Sequence, residues 1–186
     1  MIPHREGKRS LLVVSYPTIL EEDFEWIQSI RKQHDEINLE VIDPHFTIIF
    51  PVFGIEEKVF VNHVKQAIPG IQAFDFTIRC AVLGNDAFSD YTHVFLVPDQ
   101  GYSNIIKLHD RLYKGLLANE LRLDIPFVPH IGIANSLDPQ TCKHIADKLN
   151  ATSFEIRGRV ELLDLIWDEG NKIGTIDRVN LDSKLR

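Results

Sequence analysis

The chain has 186 residues, 44% of them hydrophobic, and a formal net charge of −7. That length supports one well-buried globular unit or two small lobes sharing a core. No row of Lys and Arg of the kind a long phosphate backbone needs for counterion release is present, which excludes an extended nucleic-acid groove; a phosphate-bearing ligand would be short and held in a local pocket against an acidic background.

From the N-terminus, MIPHREGKRS leads into only four apolar residues, LLVV, before Ser15 and Pro17. These are too few for a secretory h-region or a membrane span, so a cytoplasmic protein without membrane contact is expected. Residues 11–16 read as a buried strand. Residues 20–34 place Leu20, Phe24, Ile27 and Ile30 or Arg31 at helical spacing, with Glu21, Glu22 and Asp23 favouring the N-terminal end of the dipole. Residues 45–53 read as a strand stopped by Gly54, Glu56–Ile68 as a helix, and Phe74–Leu83 as a strand. After a short loop at 84–92, His93–Val97 is strand-like and residues 102–121 form a longer helix with Ile105, Leu108, Leu112, Leu116 and Leu117 as its stripe. Phe127–Ala134 is a further strand. Asp138-Pro139 supplies an N-cap and first-turn proline for a helix through Leu149. Residues 154–166 read as a strand, turned back at Asp168-Glu169-Gly170-Asn171 into Lys172–Val179 as a hairpin. Cys80 and Cys142 are expected as reduced thiols, and the sequon at Asn150-Ala151-Thr152 has no consequence without secretion.

Each half thus reads strand, helix, His strand, helix, strand, the mark of a single internal duplication. The halves span about 1–88 and 89–186 with no Pro/Gly/Ser-rich linker between them, so a single bilobal α+β domain over 1–186 is expected. Two lobes related by an approximate two-fold would set the two His strands face to face.

The feature that carries chemistry is a repeated pentapeptide, Pro44-His45-Phe46-Thr47-Ile48 and Pro129-His130-Ile131-Gly132-Ile133. Side chains at i and i+2 of a strand share a face, so His45 projects with Thr47 and His130 with position 132. An imidazole titrates near neutrality, so one of two facing histidines can be neutral while the other is protonated. That is the arrangement for a general base and a general acid on opposite sides of a reacting centre. A hydroxyl two residues on can hold a non-bridging phosphate oxygen, and in-line attack at phosphorus rests mainly on positioning and charge stabilisation. Neither metal, cofactor nor covalent nucleophile is then required.

These residues resemble the two-histidine phosphoesterase superfamily, which includes bacterial RNA 2′,3′-cyclic phosphodiesterases, also called 2′-5′ RNA ligase-like proteins. The resemblance rests on PHFTI and PHIGI within duplicated α/β halves and covers nearly the whole chain. It implies a bilobal α+β fold of two antiparallel sheets with helices packed outside and the His motifs on central strands. It also implies His45 and His130 as the acid/base pair, Thr47 as an oxyanion donor, and a nucleotide or RNA end carrying a phosphodiester as the partner. Gly132 departs from the pattern, which has Ser or Thr there. Removing one oxyanion donor costs on the order of 100- to 1,000-fold in rate. Ser136 has the right parity, but six residues along a strand is roughly 20 Å, too far to substitute.

Two other functions stand beside the cyclic phosphodiesterase: a non-catalytic phosphate or RNA-end binding module, motivated by Gly132, and a metal-dependent hydrolase using His45, His130 and Asp43. The two-His set lacks His-x-x-x-His or His-x-His spacing and is poor metal equipment. Nucleophile-elbow, Walker-type and Cys-His signatures are absent. His93 shares its parity with Phe95 and Val97 and is read as a structural residue at the cleft edge. His4, His34, His63, His109 and His144 are read as surface or packing residues. Tyr16, Phe88, Tyr91 and Tyr102 could stack on a base, though packing is the simpler role for each. The oligomeric state is left open.

Overall fold

The computed structural model describes residues 8–85, 89–170 and 172–183. His4, Phe88 and Asn171 therefore lie outside the described residues. In chain order the elements are β1 (Ser10–Ser15), β2 (Thr18–Ile19), α1 (Glu21–His34), β3 (Phe46–Val52), α2 (Glu57–Ala67), β4 (Phe74–Asn85), β5 (Thr92–Gln100), α3 (Tyr102–Leu112), β6 (Ile131–Ser136), α4 (Pro139–Asn150), β7 (Ile156–Val160), β8 (Leu162–Asp168) and β9 (Ile173–Asn180). Among the described residues they build two antiparallel sheets, ordered β3-β1-β8-β9 and β2-β7-β4-β5-β6. The expected α+β class with two antiparallel sheets is what the chain forms.

The sheets do not divide at the middle of the sequence. β4 joins the five-stranded sheet, while the C-terminal hairpin β8–β9 returns to pair with β1. The stretch expected as one strand over 154–166 is two, because the chain leaves one sheet at Val160 and enters the other at Leu162. The motif-bearing strands are also not central. β3 and β6 are each an outermost strand of their own sheet.

An exposed strand edge invites unwanted pairing and is normally covered. Here α3 covers β3: His109 Nδ1 donates to the Ile48 carbonyl at 2.8 Å, and the Phe50 amide donates to the Tyr113 hydroxyl at 3.0 Å. His109 and Tyr113 are four residues apart and share one side of the helix end. His109 therefore has a buried packing role, extended by a parallel stack on Phe127 with ring centroids 3.6 Å apart.

Helix α3 ends at Leu112 rather than continuing to 121. Lys114 is extended, Gly115 takes a φ of 57°, and a separate 3-10 turn covers Gly115–Glu120. A positive φ is natural for glycine and interrupts an α-helix. Leu117 is buried as expected, but Leu116 is exposed. The strand expected from Phe127 begins only at Ile131, because Pro126 and Pro129 have no N–H to give to a ladder. Asp138 caps α4 as expected, accepting from the amides of Gln140 and Thr141 with Pro139 in the first turn.

One apolar cluster joins the sheets, with Val13, Ile48 and Leu165 from the first and Phe76, Leu96 and Ile131 from the second. Phe46 and Phe76 meet edge to face across it at 5.1 Å. Helix α2 lies on one face of the first sheet, where Lys65 pairs with Asp177 of β9 at 2.6 Å. Helix α4 backs the second. Cys142 donates to the Thr92 carbonyl, and the Asn150 amide bridges both backbone groups of Ala81 in β4. The sequon asparagine is thus a structural clamp, and both cysteines are free thiols.

Candidate active site

His45 and His130 each stand one residue before their strand, after a proline that starts the extended segment. Their local geometry is the same. His45 Nδ1 is 2.8 Å from the carbonyl of Asp43, and His130 Nδ1 is 2.6 Å from that of Val128. A carbonyl can only accept, so each Nδ1 carries the hydrogen. In the neutral ring this leaves Nε2 as the basic lone pair. Each motif therefore fixes tautomer and orientation through a carbonyl two residues upstream.

Burial pushes both imidazoles down to about 4. The backbone hydrogen bonds oppose this. For His45, the neighbouring charges of His130 and Arg31 add to the lowering and Asp35 counters it. For His130, His93 adds to it. The influence of His130 on His45 means that the two rings lie close enough for a proton on one to disfavour a proton on the other.

Thr47 follows on the His45 face, half-buried, opposite Val14 of β1. Its hydroxyl has no side-chain hydrogen bond among the described residues. Gly132 is opposite Phe95 of β5. Its φ is not in the left-handed region, and a Cβ built there would meet nothing within 4 Å. The glycine answers no backbone demand; it leaves open space beside His130.

Phe95 has no sequence signal beyond its parity with His93, yet its ring lies flat on His130 at 3.7 Å and on His93 at 5.5 Å. Gly84 makes that stack possible, since a Cβ there would run into the Phe95 ring. His93 is buried in this stack, which gives it the structural place expected. On the other side, Tyr16 meets His45 edge-on at 6.1 Å.

A buried polar cluster ties the two motifs together. Arg31, 2% exposed, donates from Nε to Asp35 at 2.9 Å and from Nη2 to the carbonyls of Asn38 and Ile42, on the loop that ends at His45. Asp35 accepts from the amide nitrogen of Asn38 and from the side chain of Asn135 in β6, and Asn135 accepts in turn from the Glu36 amide. A buried charge pair is tolerated only when its remaining donors and acceptors are filled. Here that requirement joins the approach to His45 with the strand that carries His130. Asp43 turns a carboxylate oxygen to Gln28, and among the described residues no group of three or more His, Cys, Asp or Glu side chains could hold a metal ion. No helix of the described residues is long and apolar enough to cross a membrane.

Comparison with known proteins agrees with this architecture. The sequence profile of the 2'-5' RNA ligase superfamily matches residues 19–172. No curated protein matches the chain. Among solved structures, E. coli LigT complexed with 3'-AMP is 18% identical with a TM-score of 0.58, over 94% of this chain and 98% of that one. The protein TT0787 of Thermus thermophilus is 14% identical with a TM-score of 0.59, over 94% and 99%. Usb1 of Kluyveromyces marxianus is 10% identical with a TM-score of 0.54, over 91% and 98%. At these identities the likeness establishes the fold, and with the profile match over most of its length, the chain belongs to the 2'-5' RNA ligase superfamily.

Proposed function

We propose that this protein is a metal-independent phosphoesterase that opens a 2′,3′-cyclic phosphate, or a related cyclic or 2′-linked phosphodiester, on a nucleotide or RNA end. One observation supports the reading: the two imidazoles are held by matching Nδ1–H bonds that leave each Nε2 to exchange a proton, a charge on His130 disfavours one on His45, and open space stands at Gly132, two residues after His130. One ring takes a proton from water as its oxygen bonds to phosphorus. The other, as imidazolium, gives a proton to the ribose oxygen as its bond to phosphorus breaks. One water is consumed and the two rings exchange protonation states, which solvent resets. The Thr47 hydroxyl donates to a non-bridging oxygen. LigT has been crystallised with 3'-AMP, ATP, NADP+ and phosphate, ligands of the chemistry this cleft would take.

The test is hydrolysis of 2′,3′-cyclic nucleotides with EDTA present, followed across pH. Turnover is expected to be insensitive to chelator and bell-shaped. The alkaline limb of kcat/KM reports loss of the acid's proton in the free enzyme and the acid limb protonation of the base. Because burial holds both free imidazoles near 4, the kcat/KM maximum should fall below the ordinary imidazole range of about 6.5. The kcat bell should lie at higher pH, since a bound phosphate anion favours imidazolium. Loss of turnover on chelation would overturn the reading.

Gly132 supports a second reading, a phosphate or RNA-end binding module that turns nothing over. Ligand binding without hydrolysis, with hydrolysis restored by Gly132→Ser, would favour it.

A further inference from the structure

A row of cross-strand neighbours runs from the site across the first sheet: Thr47 of β3 pairs with Val14 of β1, Val14 with Asp164 of β8, and Asp164 with Arg178 of β9. Directly opposed residues project from the same face. It is the face away from α2, because Asp177, the neighbour of Arg178, points to Lys65 of that helix. The row therefore lies on the side of the sheet that carries Thr47.

Within the row, Asp164 is 1% exposed. A carboxylate buried on a sheet face is costly unless it is paired. Its partner is Arg178, whose Nε donates to it at 2.8 Å while the Arg178 side chain stays 65% exposed. The two Nη groups have no further partner among the described residues. A buried anion thus holds an exposed guanidinium by one edge and leaves the other edge to solvent. Tyr16 occupies the ground between. Its ring touches His45, and its hydroxyl is pushed up to about 12 by burial first and then by the charges of Asp164 and Asp43, with Arg178 opposing. The guanidinium lies over Asp164, two strand spacings or roughly 10 Å from β3. A nucleoside with its reacting phosphate at His45 and Thr47 would be long enough to reach across that ground, with its sugar over Tyr16.

We propose that Arg178, held by Asp164, binds a second phosphoryl group of the substrate, the one on the 5′ oxygen of the nucleoside whose 2′,3′-phosphate reacts. This deepens the proposed function and rests on it. The 5′ position is the other phosphate-bearing site of such a nucleoside. The free edge of a guanidinium suits two phosphoryl oxygens. The ligand class is a nucleotide phosphorylated at both ends, whether the 5′ group is a terminal monoester or the diester of an RNA chain.

Calorimetry of the full chain with adenosine 3′-phosphate and adenosine 3′,5′-bisphosphate tests this without turnover. The bisphosphate should bind roughly tenfold or more tightly, as a charge-assisted contact predicts. The double variant Asp164→Asn, Arg178→Gln removes both charges, so no unpaired carboxylate remains buried. It should bind the two ligands equally, with its affinity for the 3′-phosphate unchanged. Equal binding in the natural protein, or an advantage that survives in the double variant, overturns the inference. Absence of adenosine 3′-phosphate binding would instead sink the reading of the His45–His130 site itself. A dinucleotide 3′-phosphate with a free 5′-hydroxyl separates the sources: the same gain identifies an RNA end, and a gain confined to the bisphosphate identifies a terminal monoester.

Discussion

Replacing His45 or His130 by Ala is expected to lower turnover of a 2′,3′-cyclic nucleotide by about 10²–10⁴-fold, the range that a positioned acid or base contributes. The two losses should be of the same order, because the rings are held by the same device, an Nδ1–H to a carbonyl two residues upstream. The double variant should lose much less than the product of the two, since an acid without its base leaves little chemistry for the second substitution to remove. Initial-rate kinetics on the three variants measures both points. His130→Ala also removes the ring on which Phe95 stacks, so its thermal stability is to be measured beside its rate. Full activity in either single variant would leave this chemistry without its carriers.

The second large effect lies at the two positions that follow the histidines. Thr47→Val keeps the β-branched shape and removes the hydroxyl, and should cost on the order of 100- to 1,000-fold in kcat, as for other single oxyanion donors. Gly132→Ser runs the other way. The open space at its Cβ accepts a side chain without displacing a neighbour, and its backbone conformation suits any residue. A serine there is expected to raise kcat on small cyclic nucleotides and to raise KM for ligands that use the open space. A drop in kcat would mean that the open space itself is needed, to admit a bulkier group beside His130.

Much of this can be read from residue order. The proline before each histidine, the hydroxyl two places after His45 and the glycine two places after His130 are local features, and strand parity turns them into a shared face. Helix α1 and the cap of α4 fall where dipole and capping chemistry put them. What local pattern does not supply is partner choice. The strand-like stretch from 154 to 166 does not say that the chain changes sheets at Glu161, and the return of β8 to β1 is a pairing between opposite ends of the sequence. The outermost position of β3 follows from that pairing, as does the need for His109 and Tyr113 to cover its edge. Arg31 shows in the helical stripe as an oddity. Only the fold reveals that it faces Asp35, and that Asp35 reaches Asn135, a hundred positions further along. Arg178 carries no signal at all. It acquires meaning from a buried carboxylate on the neighbouring strand.

The central claim is that one phosphate engages both imidazoles at once. Nitrogen-15 NMR of the imidazole rings during titration with adenosine 3′-phosphate tests it most directly. The Nε2 signals of His45 and His130 should move together toward the imidazolium position, with one shared midpoint, while His109, buried on α3 and stacked on Phe127, stays still. Movement of one ring alone, or of the two with separate midpoints, would contradict it.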